Sequence, residues 1–504
     1  MLRRQFVHRA ALSMLAGATG MLPGISLAEV KSWKAAFAEA LEKTPWLLAF
    51  RSVTNDAFSA EATLEGKIPE GLTGTLYRNG PARHEIGDYR YHHWFDGDGM
   101  IQAWRIGPGQ VSHSAKMIAT RKYLAELDAG RALYPGFASI PPNPKPVTSA
   151  DSVNVANISV LPHHGKLYAL WEAGSPWEIN PDDLSTEGLH AFSAETEGLP
   201  FSAHPRVEAD GTLWNFGYVS SAKKLVFWHI RPTGKLEKVG IIDCDPIAPV
   251  HDFVVTARHL VMLIPPLQFE PQGPGSFLDQ HRWRPDQPTR VLVVDKNDFN
   301  NHRFFELPAQ WVFHYGNAWE DEAGVIRFDA ARAPDPLAMI DSFRFVMRGE
   351  IKPDSESIHH QYRIDMAKGT ITETPMLGQG VSSEFPTIDP RVSGRRYSRL
   401  VMLTRDRGDQ AEHTMLNSVS SFNLAREHLD TFRYPDGVIP EEHLYVHRDD
   451  LAPEQGGWVI GSGLNYGEAR MELRIFDADR LSDGPLATAA LPYALPMGLH
   501  AKFV

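Results

Sequence analysis

The chain has 504 residues, of which 43% are hydrophobic and 10% aromatic, so it can bury a large core. Its formal net charge of −12 argues against a nucleic-acid partner, whose phosphates require clustered lysine and arginine. The single cysteine, Cys244, excludes a disulfide framework within the chain and a cysteine-rich metal site.

Residues 1–28 have the composition of a signal peptide. They combine three arginines and no acidic residue with an Ala/Leu/Met/Gly stretch that ends in small residues. Arg3, Arg4 and Phe6 resemble the twin-arginine export motif, although two neighbouring positions depart from it. We therefore expect export to the periplasm, with a Sec signal or an uncleaved anchor as the alternatives.

Residues 29–504 show no linker and are predicted to form a single domain. Residues 29–48 carry apolar side chains at helical spacing, which predicts a surface helix, with peripheral membrane contact as the minor alternative. From about residue 60 onward, short β-branched and aromatic runs such as "KLVFWHI" and "RVLVVD" predict an all-β fold. The proline-rich stretches 134–146 and 264–277 are predicted to be long loops that build lids.

A weak recurrence suggests how the strands are arranged. A strand followed by a polar turn and a short tail appears as "WEINPDDL", "VLVVDKNDF", "YRIDMAKGTI", "SSFNLAREHLD" and "RIFDADRL". This is compatible with propeller blades that carry loop insertions. Periodicity alone does not separate a propeller from a sandwich or paired sheets.

The sequence has 22 histidines and none of the common local catalytic motifs. Histidine is therefore the residue type to consider first for a functional site. Four stand in strand-like or apolar settings: His204, His251, His314 and His500. No local spacing unites them, and each alone is more often a satisfied core histidine than a ligand. They could nevertheless converge from distant strands at a propeller axis.

Several motifs resemble the carotenoid cleavage oxygenases. The segment 76–106 contains Tyr-Arg-Asn-Gly-Pro (77–81) and Trp-Phe-Asp-Gly-Asp-Gly-Met (94–100), and the segments "AHP", "HDF" and "FHYGNAWE" follow in the family's order. The sequence closes with Pro-Met-Gly-Leu-His (496–500), which is similar to the family's Pro-x-Gly-x-His ending. The resemblance covers nearly all of residues 29–504.

The resemblance implies a seven-bladed β-propeller, capped by a dome of loops and short helices, with one Fe(II) on the propeller axis. Four histidines would hold the iron: His204, His251, His314 and His500. Three glutamates would support them: Glu172, Glu384 and Glu454. Neutral imidazole is a good Fe(II) ligand, whereas the main alternative, zinc, prefers four ligands and has no redox chemistry with O2.

The implied function is cleavage of a conjugated C=C bond with O2 as co-substrate, which gives two carbonyl products. The hydrophobic substrate would be an apocarotenoid or carotenoid, or alternatively a phenolic stilbene. In the stilbene case Lys122, with Tyr89 or Tyr91, could engage the phenol. A non-oxidative isomerohydrolase and a propeller that binds a ligand without turnover are the remaining alternatives, and the oligomeric state is not predicted.

Overall fold

The computed structural model describes residues 31–271, 273–353, 355–378 and 380–504. The predicted signal peptide, residues 1–28, lies outside the described residues. Helix α1 (Trp33–Lys43) begins where the Ser32 side chain accepts a hydrogen bond from the Ala35 amide. It ends before a 3-10 helix at Pro45–Phe50, because proline cannot continue the α-helical hydrogen bonds.

The described residues form thirty-four strands. The first twelve are β1 (Ala57–Glu61), β2 (Thr63–Gly66), β3 (Gly74–Arg83), β4 (Glu85–Ile86), β5 (Tyr89–Arg90), β6 (Asp98–Gly107), β7 (Gln110–Met117), β8 (Ser159–His163), β9 (Lys166–Leu170), β10 (Trp177–Ile179), β11 (Thr186–Leu189) and β12 (Arg206–Val207). The next eleven are β13 (Leu213–Val219), β14 (Lys224–Ile230), β15 (Leu236–Asp243), β16 (Val254–Val255), β17 (His259–Ile264), β18 (Leu267–Phe269), β19 (His281–Trp283), β20 (Thr289–Asp295), β21 (His302–Leu307), β22 (Trp311–Glu320) and β23 (Val325–Ala333). The last eleven are β24 (Ile358–Asp365), β25 (Thr370–Pro375), β26 (Val381–Thr387), β27 (Arg399–Asp406), β28 (Ser418–Asn423), β29 (His428–Arg433), β30 (Val438–Val446), β31 (Trp458–Asn465), β32 (Arg470–Asp477), β33 (Ala487–Ala490) and β34 (Ala501–Phe503).

Seven antiparallel sheets of four or five strands make the blades of a β-propeller, which confirms the predicted fold. From the axis outward, blade 1 is β34-β3-β6-β7-β1, blade 2 is β8-β9-β10-β11, blade 3 is β12-β13-β14-β15 and blade 4 is β16-β17-β20-β21. Blade 5 is β22-β23-β24-β25, blade 6 is β26-β27-β28-β29 and blade 7 is β30-β31-β32-β33-β2. The recurrence found in the sequence corresponds to the same turn in each of five blades. This turn follows the third strand of the blade, after β10, β20, β24, β28 and β32.

The two end blades mix strands from distant parts of the chain. Strand β34 pairs with β3, so that Leu76 faces Phe503 and Arg78 faces Ala501. Strand β2 pairs with β33 at the outer edge of blade 7. Both pairings tie early strands to late ones, and they close the ring.

The remaining elements lie in the connections between strands. They are α2 (Arg121–Ala129), a helical segment made of a π-turn (Ala338–Ser342), α3 (Phe343–Phe345) and a 3-10 turn (Val346–Arg348), and single 3-10 turns at Trp94–Asp96, Ala150–Ser152, Ser220–Ala222, Leu278–Gln280, Pro390–Val392 and Leu481–Asp483. Residues 134–146 contain no helix or strand, as predicted. The stretch 264–277 was predicted to be a loop throughout, but it includes β18, which pairs with β19. None of the helices described is long and apolar enough to span a bilayer.

Candidate metal centre and substrate cavity

The four histidines predicted from the sequence meet at one point. One ring nitrogen from each of His204, His251, His314 and His500 lies within 4.8 Å of the other three. The Nε2 atoms of His204 and His251 are 2.9 Å apart. The His314 Nε2 atom lies 3.2 Å from those of both His251 and His500. We call these four residues the histidine cluster.

Each cluster histidine comes from the innermost part of a different blade. His204 lies two residues before the short inner strand β12, His251 lies three residues before β16, and His314 lies within β22. His500 directly precedes β34, the inner strand of blade 1. Blades 1, 3, 4 and 5 therefore supply one imidazole each, because inner strands from all around the ring pass the same axis.

The other three blades each supply a carboxylate that holds a cluster histidine. Glu172 follows β9 of blade 2, and its Oε1 contacts His251 Nδ1. Glu384 in β26 of blade 6 lies 2.6 Å from His314 Nδ1. Glu442 in β30 of blade 7 lies 2.9 Å from His500 Nδ1. A carboxylate at Nδ1 fixes the ring orientation and leaves Nε2 free to bind a metal.

The structure corrects the prediction for the third glutamate. Glu454 does not reach the cluster, because its carboxylate accepts hydrogen bonds from the Ser398 amide and hydroxyl and from the Arg399 amide. Glu442 takes the predicted role instead. Glu442 and its neighbour Glu441 stand within β30, and every residue of that strand is buried.

Irregular strand pairing aims several of these side chains at the axis. The register between β22 and β23 shifts on both sides of Tyr315, next to His314. It also shifts between Glu384 and Thr387 in β26 and between Pro440 and His443 in β30. Such β-bulges re-aim side chains and are common beside active sites. They place an acidic or imidazole side chain where regular alternation would point it elsewhere.

Burial keeps much of the histidine cluster uncharged. It lowers the pKa of His204 and of His314 well below the usual imidazole value. Burial alone would also lower the pKa of His251, but the neighbouring Glu172 carboxylate outweighs it and raises that pKa. Neutral imidazoles are the form that binds a metal ion.

The supporting carboxyl groups of Glu384 and Glu442 differ in pKa. Burial raises the pKa of Glu384 to about 8. Burial acts on Glu442 in the same direction, but its ion pair with His500 outweighs it, and the pKa of Glu442 lies at about 2. Glu442 is therefore a carboxylate at neutral pH and can offset part of the charge of a bound cation.

The donor set fits a single metal ion. At a metal–nitrogen distance of about 2.1 Å, neighbouring ligands of one ion stand roughly 3 Å apart. The observed Nε2 separations of 2.9 and 3.2 Å match that spacing. Three of the rings have their second nitrogen held by a carboxylate, which is the usual environment of metal-bound histidine.

An aromatic cavity adjoins the cluster on one side. Four phenylalanine and two tryptophan rings line it, beside Tyr218: Phe95, Phe137, Phe277, Phe313, Trp171 and Trp311. His251 and Glu172 reach it from the cluster, and the Tyr218 hydroxyl lies 3.5 Å from the Glu172 carboxylate. The cavity measures about 80 Å³. Phe137 belongs to the proline-rich loop 134–146, which thus forms part of the cavity wall, as a lid would.

The residues predicted to engage a phenol lie elsewhere. Lys122 donates hydrogen bonds to the Tyr91 hydroxyl (2.7 Å), Asp98 (2.9 Å) and Glu126 (2.8 Å). Lys122 and Tyr91 are each 1% exposed, and the Tyr89 ring packs edge-on against Tyr91. None of the three predicted residues lines the aromatic cavity. Lys122 is therefore engaged by other side chains outside the aromatic cavity.

A second, larger cavity, with charged as well as apolar side chains in its lining, reaches the cluster at the propeller axis. It measures about 870 Å³ and is lined by His204, His314 and His500 at one end. Lys502, Arg206, Asp252 and the segment 447–450 also line it. We call this cavity the axial channel.

A buried ion pair holds the segment that carries His500. Arg78 in β3 lies 3.1 Å from Glu441 in β30, and both side chains are fully buried. Arg78 also donates to the backbone oxygens of Leu499 (2.8 Å) and Glu442 (2.7 Å). Glu441 accepts from the Gly498 amide at 2.6 Å. We call this arrangement the Arg78–Glu441 clamp, and it joins blade 1, blade 7 and the approach to His500.

Comparison with known proteins identifies the family. A family model described as "Retinal pigment epithelial membrane protein" matches residues 50–504. The chain belongs to this family. It is 30% identical over 485 residues to the apocarotenoid-15,15'-oxygenase of Synechocystis sp., with 91% of this chain and 96% of that protein covered.

Other relatives in the Retinal pigment epithelial membrane protein family have different names. The chain is 25% identical to an isoeugenol monooxygenase of Pseudomonas putida (87% of this chain and 93% of that protein covered). It is 26% identical to the resveratrol cleavage oxygenase 1 of Aspergillus fumigatus (87% and 91% covered). A cobalt-substituted Synechocystis apocarotenoid oxygenase has a similar structure, with a TM-score of 0.82, 28% identity, and 91% of this chain and 98% of that chain covered. The chain is therefore an enzyme, an oxygenase of the carotenoid cleavage type.

Proposed function

We propose that the protein binds Fe(II) at the histidine cluster and cleaves a conjugated C=C bond of an apocarotenoid with O2, which gives two carbonyl products. The observation that carries this proposal is the aromatic cavity directly against a cluster of four imidazoles. Cavities for such ligands are mostly apolar and aromatic, with few polar groups.

Iron, when bound, would supply the activation of O2, which zinc cannot do by redox chemistry. The protein's own residues would hold the ion and orient the imidazole rings that bind it. The Nε2 atoms of the histidine cluster would bind the ion, and Glu172, Glu384 and Glu442 would keep three rings in place through Nδ1. Four imidazole ligands would leave room on the ion for small ligands such as O2.

The walls of the aromatic cavity favour an extended apolar substrate. Rings from Phe95, Phe137 and Phe313 would pack against a conjugated chain and keep water from it. The cavity of about 80 Å³ is smaller than a typical ligand site of roughly 300–1,000 Å³, so a long polyene requires the surrounding rings to move.

The second candidate is cleavage of a phenolic stilbene or a shorter aryl alkene, and the small volume of the cavity favours it. Two relatives have names of this kind, an isoeugenol monooxygenase and a resveratrol cleavage oxygenase. The placement of Lys122 and Tyr91 argues against it, because their polar groups bond each other, Asp98 and Glu126 outside the cavity.

The test is a labelled cleavage assay. Iron-loaded protein is incubated with an apocarotenal or with resveratrol under isotopically labelled O2, and the products are analysed by mass spectrometry. Labelled aldehydes from the apocarotenal support the proposal, and labelled aldehydes from resveratrol alone support the second candidate. Unlabelled, isomerised or hydrolysed product indicates a non-oxidative enzyme. No turnover of either compound by protein with iron bound contradicts both candidates and favours a ligand-binding role.

The ligand role of the cluster has a direct control. His314→Ala should lose bound iron and activity, because it removes one imidazole and leaves Glu384 without its partner. His428→Ala, at an exposed position of the outer strand β29, should keep both. A His314→Ala protein with a full complement of iron would refute the assignment.

We also propose that the protein is exported to the periplasm through the twin-arginine route. Arg3, Arg4 and Phe6 support this proposal. Replacing both arginines by lysine should leave the protein in the cytoplasmic fraction of an expressing bacterium, as detected by immunoblotting. Unchanged export would point to the Sec route.

A further inference from the structure

We propose that ferrous ion enters and leaves the histidine cluster through the axial channel, and that the Lys502 ammonium in this channel slows its passage in both directions. The inference rests on the proposed function only in so far as the cluster holds iron. It assigns a role to a cavity to which the proposed function gives none.

The axial channel suits a hydrated dication better than the aromatic cavity does. The aromatic cavity offers almost no polar groups, and moving a charge through such surroundings is very costly. The axial channel measures about 870 Å³, and its lining includes the charged side chains of Arg206, Asp252 and Lys502 beside apolar ones. An ion can keep much of its water shell there until the imidazoles replace it.

The course of β34 places Lys502 between the cluster and the outer part of the channel. Side chains two residues apart on a strand point the same way, and they are about 6.6 Å apart along it. His500 and Lys502 both line the channel, and the rise of the strand carries Lys502 away from His500 along the channel wall. An ion travelling to or from His500 therefore passes the Lys502 side chain.

The charges along the channel make Lys502 the barrier. The exposed side chain of Asp450 is paired with Arg448 at 2.8 Å, and Asp449 lies 3.2 Å from His447. Asp252 is likewise engaged by Arg206 at 2.6 Å. Within the part of the chain that the structure describes, no acceptor lies at hydrogen-bond distance from the Lys502 ammonium.

Repulsion between the Lys502 ammonium and a dication grows as their separation falls. The ion comes closer to the Lys502 side chain in transit than when it is bound beside His500. The ammonium therefore raises the energy of the passing ion more than that of the bound ion. Removing its charge should speed both uptake and release.

Isotope exchange on the iron-loaded enzyme tests the proposal. Protein is mixed anaerobically with excess iron-57(II), and the isotope ratio of protein-bound iron is followed by mass spectrometry. Lys502→Gln should exchange several-fold faster than the unmodified protein, and Lys502→Glu faster still. Lys235→Gln, which removes an exposed lysine from the outer β14–β15 turn, is the matched control and should exchange at the unmodified rate. Equal exchange rates in all four proteins would overturn the role of Lys502.

A second measurement tests the route itself. Exchange is repeated after the aromatic cavity has been saturated with a long-chain saturated alcohol, which cannot be cleaved. An unchanged rate supports the axial channel, and a blocked exchange shows that iron passes through the aromatic cavity. Because neither readout needs turnover, protein that exchanges iron but cleaves no alkene would contradict only the proposed function.

Discussion

At the scale of single residues, the histidine cluster depends on carboxylates that arrive from other blades. Glu442 is the clearest case, because one carboxylate serves two neighbours of the site. Its Oε1 lies 2.9 Å from His500 Nδ1, and its Oε2 accepts from the Ala501 amide at 2.6 Å. The ring of His500 and the start of β34 are therefore positioned by the same side chain.

Glu442→Gln should lower the affinity for iron about tenfold, since the carboxylate partners of metal-bound histidines contribute roughly 10- to 100-fold. The change keeps the size of the side chain but removes its charge and one of its two acceptor oxygens, so that it can no longer accept from both His500 and the Ala501 amide. Bound iron can be titrated against a competing chelator. Glu454→Gln is the control and should keep the original affinity, because Glu454 bonds to Ser398 and Arg399. Equal affinities for the two variants would contradict the role of Glu442.

The sequence allowed the four histidines to be predicted, because each stands in a recognisable motif and the motifs follow in a fixed order. It did not allow Glu442 to be predicted, because acidic residues are frequent in loops and the choice of Glu454 rested on a loosely matching segment. What distinguishes the two glutamates is strand geometry. Glu442 lies at a bulge in an inner strand, whereas Glu454 lies in the loop that follows it.

At the scale of elements, the Arg78–Glu441 clamp connects three separate pieces of backbone. The pair stabilises β3 against β30, and it fixes Gly498 and Leu499 beside both. The fit is tight, because a Cβ atom added to Gly498 would lie 2.6 Å from Arg78 Cδ. This contact explains the glycine of the Pro-Met-Gly-Leu-His ending.

Glu441→Gln should destabilise the protein by about 3 kcal/mol, because removing one partner of a buried ion pair leaves the other charge uncompensated. Bound iron should fall as well, since the backbone leading to His500 loses an anchor. Denaturant unfolding and metal analysis measure the two effects. Glu356→Gln breaks the more exposed pair with Arg407 and should change stability by less than about 1 kcal/mol. A loss of stability with full retention of iron would show that the clamp does not position His500.

Most of the strands could be predicted from alternating and β-branched runs, as in β14 and β20. Their assignment to blades could not, because antiparallel pairing depends on contacts far apart in the sequence. In the sequence, the recurring pattern of a strand and a following turn could be recognised only in blades where the turn after the third strand is polar and short. The short inner strands β12 and β16 span two residues each, too few for any pattern to be recognised.

At the scale of the whole molecule, the ring is closed at two places. Strand β34 completes blade 1 at the axis, and β2 completes blade 7 at the rim. The inner closure is also the one that carries His500 to the cluster. Ring closure and the fourth imidazole are thus provided by one short segment.

Removing residues 501–504 should cost iron binding even though all four histidines remain. The deletion removes β34, its pairing with β3, and the hydrogen bonds between Thr75 and Val504. His500 then has no strand to hold it at the axis, and blade 1 lacks its inner edge. Thermal unfolding and metal analysis should both show a loss. Val504→Ala keeps the backbone bonds and should behave as the unmodified protein. A deletion variant that binds iron normally would show that β34 is dispensable.

The pairing of β3 with β34 also bears on how the protein is made. Arg78 and Leu499 touch although they are 421 residues apart in sequence. The early segments leave the ribosome first. The inner edge of blade 1 therefore stays unpaired until β34, near the end of the sequence, has been translated. A nascent chain therefore has neither a closed ring nor a complete set of imidazoles, and assembly of the metal centre becomes a late, post-translational event.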